Sequence, residues 1–285
     1  MEIKIARLSG YCFGVKRAIE LTEAALKKYN NKNIKVYSIG QIIHNKGVTT
    51  YLNQKGLIIV EKVEQIKPGS VFIVRSHGMS PRLIAKIKKK GVKIVDTVCP
   101  FVKGAQSKAR MISKRGYHLV IIGDENHPEV ISEMEYADKN NLTVIESPEK
   151  IKNFPKHDRI GVIMQTTQIN ANAKSIISGL FDKSKEMLVE NTICNVTENK
   201  QKITKKLAEK SDIMIIVGGR NSANTTHLAH IAKDCNPNTY HIENYKEIKA
   251  KWFKGVKITG ISGGASTPKK DIKKVKEFIE KINQE

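Results

Sequence analysis

Short apolar runs alternate along the chain with longer segments whose apolar positions recur every three to four residues. Runs of the first kind read as β-strands, and segments of the second as amphipathic helices. In the first third, residues 3–8 read as a strand, 9–14 as a loop and 15–29 as a helix. A strand over 36–39 precedes a helix through 48–54, which Gly56 stops. The next strand covers 71–76, and Ser80-Pro81 then supplies an N-cap and first-turn proline for a helix ending at Gly91. A strand over 92–98 follows, and Cys99-Pro100 opens the helix after it.

The middle third repeats the scheme, with strands over 119–123, 142–145 and 160–164 and a helix over 128–136. Residues 166–181 read as loop and helix, followed by a strand ending near Ile193. The last third gives a helix after Cys194, strands at 213–217, 240–242 and 256–261, and helices at 225–233 and 268–283. Strands alternating with helices predict an α/β fold of parallel sheets joined by right-handed crossovers.

The cysteines sharpen this pattern. Cys12, Cys99 and Cys194 lie 87 and 95 residues apart, and 91 residues follow the last. Each sits past an apolar run and just before a helical segment. Ligands of a local metal loop lie only a few residues apart, so this spacing suits neither a zinc finger nor a ferredoxin loop. It suits three similar α/β lobes, over 14–98, 99–193 and 194–285, with residues 1–13 as an N-terminal strand near the centre. Each lobe would deliver one thiolate to a shared centre. Three thiolates leave a fourth position open, on a tetrahedral metal or at one corner of a cubane cluster. The bland alternative, that each cysteine is a small buried hydrophobe, fits the spacing less well. Cys235, at a helix end before Asn236-Pro237, reads as structural or incidental.

In parallel α/β sheets, ligands bind beyond the carboxyl ends of strands, where helix N-termini present N–H groups. The unusual polar clusters of the chain fall at such places. His44, His77 and His127 sit in loops after strands, where three equivalent imidazoles suit a polyanionic ligand. Pro128 places Glu129 in a first helical turn beside His127, where a carboxylic acid could relay protons or merely stabilise the helix dipole. Residues 221–224 and 263–266 are short polar or Gly-rich helix entries, suitable as phosphate cradles, but neither is a P-loop and no dinucleotide fingerprint follows a strand.

Composition narrows the classes. With 40% hydrophobic and 27% charged residues, the chain reads as an ordinary soluble globular protein. Its apolar runs are too short to span a bilayer, and its first residues lack the apolar core of a secretory signal. Four cysteines in 285 residues argue against a disulfide scaffold and for a reducing compartment, with the cytoplasm expected. The formal charge of +22 raises the question of nucleic acid. However, it comes from Lys far more than Arg, and aromatic residues make up only 6%. No alternation of aromatic and basic residues suits base stacking, so a solvated Lys-rich surface is the simpler reading and no nucleic-acid partner is expected.

In order, the segments GYCFGVKRAI, HN with VTTYL, SHGMSP, DTVCPFV, HPEV, QTT, ICNVTENKQ, NSAN and GGASTP resemble the 4-hydroxy-3-methylbut-2-enyl diphosphate reductases, the IspH/LytB family. The resemblance runs from residue 3 to about residue 280. It implies a trefoil of three α/β lobes around one 4Fe–4S cluster on Cys12, Cys99 and Cys194, with the substrate hydroxyl at the open iron. It further implies that His44, His77, His127, Ser222, Asn224 and Ser266 hold the diphosphate. Glu129 would be the proton source, with Thr166 beside it, His127 adjoining and Thr197 near the pocket. Ala223 stands where the family commonly has a second Ser, so its backbone N–H would take that role. Arg220 likewise stands near a common Lys. A flavodoxin or ferredoxin is the implied electron donor. Two rivals contrast with this reading. Quinolinate synthase shares the three-cysteine plan but its motifs are absent, and a nucleic-acid-binding metalloprotein has no use for the polar clusters at strand ends.

Overall fold

The apolar runs do form parallel strands, and helices do separate most of them. A computed structural model describes residues 1–283; positions 284 and 285, which close the third expected lobe, lie outside the described residues. Along the chain come β1 (Glu2–Ile5), α1 (Phe13–Asn30), β2 (Val36–Ile39), α2 (Lys46–Gln54), β3 (Leu57–Val60), β4 (Val71–Val74), α3 (Pro81–Lys89) and β5 (Lys93–Asp96). Next are α4 (Pro100–Lys114), β6 (His118–Ile122), α5 (Pro128–Met134), β7 (Leu142–Ile145), β8 (His157–Met164), α6 (Asn170–Phe181) and β9 (Ser184–Val189). The last are α7 (Asn195–Ala208), β10 (Ile213–Val217), α8 (Ala223–Cys235), β11 (Thr239–Ile242), β12 (Ile258–Gly263) and α9 (Lys269–Ile282).

The strands form three four-stranded sheets, ordered β3-β2-β4-β5, β7-β6-β8-β9 and β11-β10-β12-β1, with every pairing parallel. The same order recurs three times: the second strand of each stretch, then the first, the third and the fourth. In the last sheet the fourth place is taken by β1, from the start of the chain. The described chain divides into two compact units. One comprises Met1–Val15, His44–Lys46 and the chain from Asn195 onward, and holds the sheet of β1 and β10 to β12. The other comprises Lys16–Ile43 and Gly47–Cys194, and holds the other two sheets.

Burial follows from the topology. Parallel sheets covered on both faces need strands apolar on both faces. The inner strands β4 and β10 are accordingly buried at every residue. The fourth strands lie at sheet edges, where charged side chains discourage pairing with another chain. Lys4 on β1, Lys93 and Asp96 on β5, and Lys185 and Glu186 on β9 all stand exposed there.

Three expectations need correction. Strand β3 was not expected; its four apolar residues follow directly on Gly56, which was read only as the stop of the preceding helix. The first strand stops at Ile5 rather than residue 8, and β9 stops at Val189 rather than near Ile193. Ile193 is apolar because it packs on the core from a loop, not because it belongs to a strand.

Close packing of helix on sheet can be tested at two glycines. A Cβ at Gly161 on β8 would stand 2.3 Å from Cγ2 of the buried Ile112 on α4, whereas one at exposed Gly104 on α4 meets nothing within 4 Å. Gly161→Ala is expected to destabilise by about 1–3 kcal/mol through overpacking. Gly104→Ala is expected to stabilise by roughly 0.5–1 kcal/mol through backbone entropy. Urea denaturation of the two variants should move in opposite directions.

Candidate functional site

The repeated sheet order concentrates chemistry at the strand ends. In each sheet the order in which strands are added reverses between the adjacent first and third strands, and ligands bind in such crevices. The loops that follow those strands are the ones carrying the expected residues. His44 follows β2 and His77 follows β4; His127 follows β6 and Thr166 follows β8; Ser222 follows β10 and Ser266 follows β12. The cysteines obey a second rule. Cys12, Cys99 and Cys194 each come after a fourth strand, β1, β5 or β9, and each is the residue directly before a helix, α1, α4 or α7. Cys235 is the last residue of α8 and follows neither rule.

In the larger unit, one hydrogen-bonded group surrounds the start of α5. His127 is its N-cap, and Nδ1 accepts the Glu129 N–H at 3.2 Å. That acceptor role places the proton of a neutral ring on Nε2. The ring of His77 meets that of His127 edge-on, with centroids 5.6 Å apart. Glu129 is buried, and its carboxylate accepts the Thr166 backbone N–H at 2.6 Å and the Thr166 hydroxyl at 3.0 Å. Burial pushes the Glu129 carboxyl above the usual carboxylate range, and the Thr166 donors pull it part of the way back.

The same unit ties these residues to two of the cysteines through the backbone. Cys194 N–H donates to the Thr166 carbonyl at 2.9 Å, and Cys99 N–H donates to the Ser76 carbonyl at 3.0 Å. The Ser76 hydroxyl in turn donates to the Ile42 carbonyl at 2.9 Å. Gly78 is required beside His77. Its φ is +85°, and a Cβ there would lie 2.2 Å from Gln106 Nε2 and 2.6 Å from Ser132 Oγ.

The smaller unit assembles a second polar group. The Ser266 hydroxyl donates to the His44 carbonyl at 3.0 Å and lies 3.4 Å from the Ser222 hydroxyl. Asn45 Nδ2 donates to the Ser266 carbonyl at 3.0 Å. Ser222 caps α8 without a side-chain hydrogen bond to its helix, so its oxygen and the first N–H groups of Ala223 and Asn224 face outward from the helix start. Asn224 is 4% exposed, yet neither its amide nitrogen nor its amide oxygen has a hydrogen-bond partner among the described residues. A buried amide left unsatisfied costs about 1–3 kcal/mol, which marks a place prepared for a polar ligand. Thr197 is buried in the first turn of α7.

Two residues of this chemistry escaped the sequence reading. Lys200 is 2% exposed, and its Nζ donates to the Gly10 carbonyl at 2.8 Å and the Gly263 carbonyl at 3.3 Å. Burial pulls its ammonium down to about 8, against an opposing pull from Cys12. Glu133, one turn after Glu129, is completely buried. A signal for Lys200 existed: polar residues standing at positions where an amphipathic helix should be apolar, as Thr197, Lys200, Gln201 and Thr204 do on α7.

None of the four cysteines forms a disulfide. Among the described residues, no three His, Cys, Asp or Glu side chains are grouped closely enough to hold a metal ion. No described helix is long and apolar enough to cross a membrane.

The LytB protein family model matches residues 3–280. The 4-hydroxy-3-methylbut-2-enyl diphosphate reductase of Aquifex aeolicus is 43% identical over 284 residues, covering 99% of this chain and 97% of that protein. The reductase of the same name from Caldanaerobacter subterraneus is 40% identical over 287 residues, covering all of this chain and 99% of its own length. A solved structure of (E)-4-hydroxy-3-methyl-but-2-enyl diphosphate reductase, described as the terminal enzyme of the non-mevalonate pathway, is 43% identical. It superposes with a TM-score of 0.71 over 99% of this chain and 100% of its own. The corresponding reductase of Plasmodium falciparum is 27% identical, with a TM-score of 0.89 over 98% of this chain and 87% of that one. Matched along nearly its whole length by family model, relatives and structures, the chain belongs to the LytB family.

Proposed function

We propose that this protein removes the hydroxyl group of (E)-4-hydroxy-3-methylbut-2-enyl diphosphate by reduction, yielding isopentenyl and dimethylallyl diphosphate, the last step of the non-mevalonate pathway. The observation that carries the reading is the placement of three cysteines after the fourth strand and before the next helix in three sheets of one order. Helix N-termini favour thiolates, and three soft thiolate donors suit an iron–sulfur cluster with one uncommitted corner. Cys12, Cys99 and Cys194 would hold a 4Fe–4S cluster, one per chain. When bound, such a cluster supplies electrons singly and a Lewis-acidic iron. The three lobes would then be 14–98, 99–193 and 194–285, with residues 1–13 as an N-terminal strand near the centre.

The chain's own residues supply the rest. Ser222, Asn224 and Ser266, with the Ala223 N–H, grip the diphosphate from helix starts, and the unsatisfied amide of Asn224 gains its partners there. His44, His77 and His127 add ring N–H donors. Glu129 carries the proton that converts the departing hydroxyl into water, and Thr166 fixes its orientation through two hydrogen bonds. Thr197, in the first turn of α7, would lie near the substrate. The strong positive charge draws both the diphosphate and an acidic electron donor of flavodoxin or ferredoxin type, as expected of a cytoplasmic enzyme.

Three outcomes test these assignments. Cys12→Ser is expected to lose most of its iron after anaerobic reconstitution, while Cys235→Ser keeps it; iron analysis showing a full complement and activity in Cys12→Ser would remove that ligand. Glu129→Gln should retain iron and lose about 10²- to 10⁴-fold in kcat. Near-normal turnover in steady-state assays would end its role as acid. Asn224→Ala should cost substrate affinity by roughly tenfold to a hundredfold, the worth of about 1–3 kcal/mol of lost hydrogen bonding. The substrate-free protein should keep its stability in urea, because the amide bonds nothing there; equal losses in both measurements would make Asn224 structural.

A further inference from the structure

Glu129 has a neighbour that the proposed reaction does not use. Glu133 follows it by four residues on α5, so the two carboxyls lie on one face of the helix, one turn apart. Both are buried, Glu129 at 2% and Glu133 at 0% exposure. Two carboxylates in contact and away from water cannot both be ionised, so the pair holds at least one proton.

Hydrogen bonding decides which of them holds it. Glu129 accepts two donors from Thr166, and it lies in the first turn of α5, where the helix dipole favours an anion. Glu133 lies beyond that turn, and neither of its oxygens has a donor among the described residues. The polar groups packed around α5 are committed elsewhere. Gln106 of α4 donates to Ser132, Ser80 donates to Glu135, Lys139 pairs with Glu135, and His127 takes the Glu129 N–H. A buried carboxylate with no donor is the least stable arrangement available, whereas a neutral Glu133 can donate its own O–H to Glu129. The directions of the two shifts agree. Burial and the charge of Glu129 drive Glu133 well above the usual carboxyl range, whereas burial raises Glu129 less far, because the Thr166 donors and the hydrogen bond with Glu133 pull it back.

The geometry points to Glu133 as a positioning residue that stores, on its own carboxyl, the proton Glu129 delivers to the leaving hydroxyl. This rests on the reading of Glu129 as the acid. In the step, the O–H bond of Glu133 breaks as an O–H bond forms on Glu129, and a proton passes from Glu129 to the substrate oxygen, which departs as water. The overall reaction takes two electrons, from the protein electron donor, and two protons. The proton passed on by Glu129 ends in the water, and the other ends on carbon. As that proton leaves, the pair takes one up from solvent through Glu129, so the two buried carboxyls never ionise together.

The test combines infrared spectroscopy of the purified, cluster-loaded protein with steady-state kinetics. The wild-type protein at neutral pH should show the carbonyl stretch of a neutral buried carboxyl. Glu133→Gln keeps the shape and an N–H donor but has no proton to give. It should lose that band, while Glu129→Gln retains it in shifted form. Glu133→Gln should also show kcat lowered about tenfold or more with KM and iron unchanged, and its rate should fall off at lower pH than the wild type. Glu133→Asp should restore part of the rate.

A wild-type spectrum without the band overturns the proposal, and it decides the matter even if no variant folds. So does a band lost in Glu129→Gln but kept in Glu133→Gln, or a Glu133→Gln enzyme with wild-type kcat and pH profile. The failure of the underlying reading looks different: Glu129→Gln would itself turn over normally, whatever the infrared spectrum shows.

Discussion

All strands in the described chain run parallel to their neighbours, and that single constraint organises the rest. A parallel strand must be followed by a crossover, and the crossover here is mostly a helix. Every strand end therefore faces a loop, and nearly every loop faces a helix N-terminus. Polar side chains placed in those loops sit beside unsatisfied backbone N–H groups and the positive end of a helix dipole, which is what an anionic ligand and a thiolate both need. Using the same strand order three times turns this into a rule. Groups suited to a diphosphate or to proton transfer follow the first and third strands, and a cysteine follows the fourth.

Much of this was legible in the sequence because parallel, doubly covered strands leave strong traces. Val71–Val74 and Ile213–Val217 are continuous apolar runs, and they are buried throughout. Ser80-Pro81, Cys99-Pro100 and His127-Pro128 announce helix starts through the fixed φ of proline. The misses have equally physical causes. Strand β3 is only four residues long and lies directly after the Gly56 helix stop, so its run is too short for periodicity to register. Ile193 carries the apolar character of a strand residue, but it uses that character to cover the core from a loop. Apolarity reports burial, and burial is not confined to strands.

The polar interior was harder to read. Lys200 and Glu133 lie on helices, Lys200 among the exposed Lys residues of α7, and composition alone cannot say which charged residue turns inward. Lys200 is held by two backbone carbonyls, and Glu133 by its contact with Glu129. The partners of Lys200 lie far away in the sequence, and two Glu four residues apart are common on solvent-facing helices, so neither arrangement reads as a motif. By contrast, Glu129 stood out because Pro128 and His127 fixed its place in a helix start. Sequence reading recovers residues placed by local backbone rules and misses those placed by tertiary burial. The exposed Lys–Glu pairs on the helix surfaces, such as Lys273 with Glu277 and Lys276 with Glu280, are each worth only tenths of a kcal/mol and explain nothing about the site.

The central claim is that three cysteines, equivalent by position in three sheets, hold one cluster with an uncommitted iron. Mössbauer spectroscopy of anaerobically prepared, iron-57-labelled protein addresses it directly. One iron in four should give a distinct signal that shifts when 4-hydroxy-3-methylbut-2-enyl diphosphate is added. A cluster whose irons are indifferent to the diphosphate, or no cluster after careful reconstitution, would contradict the account.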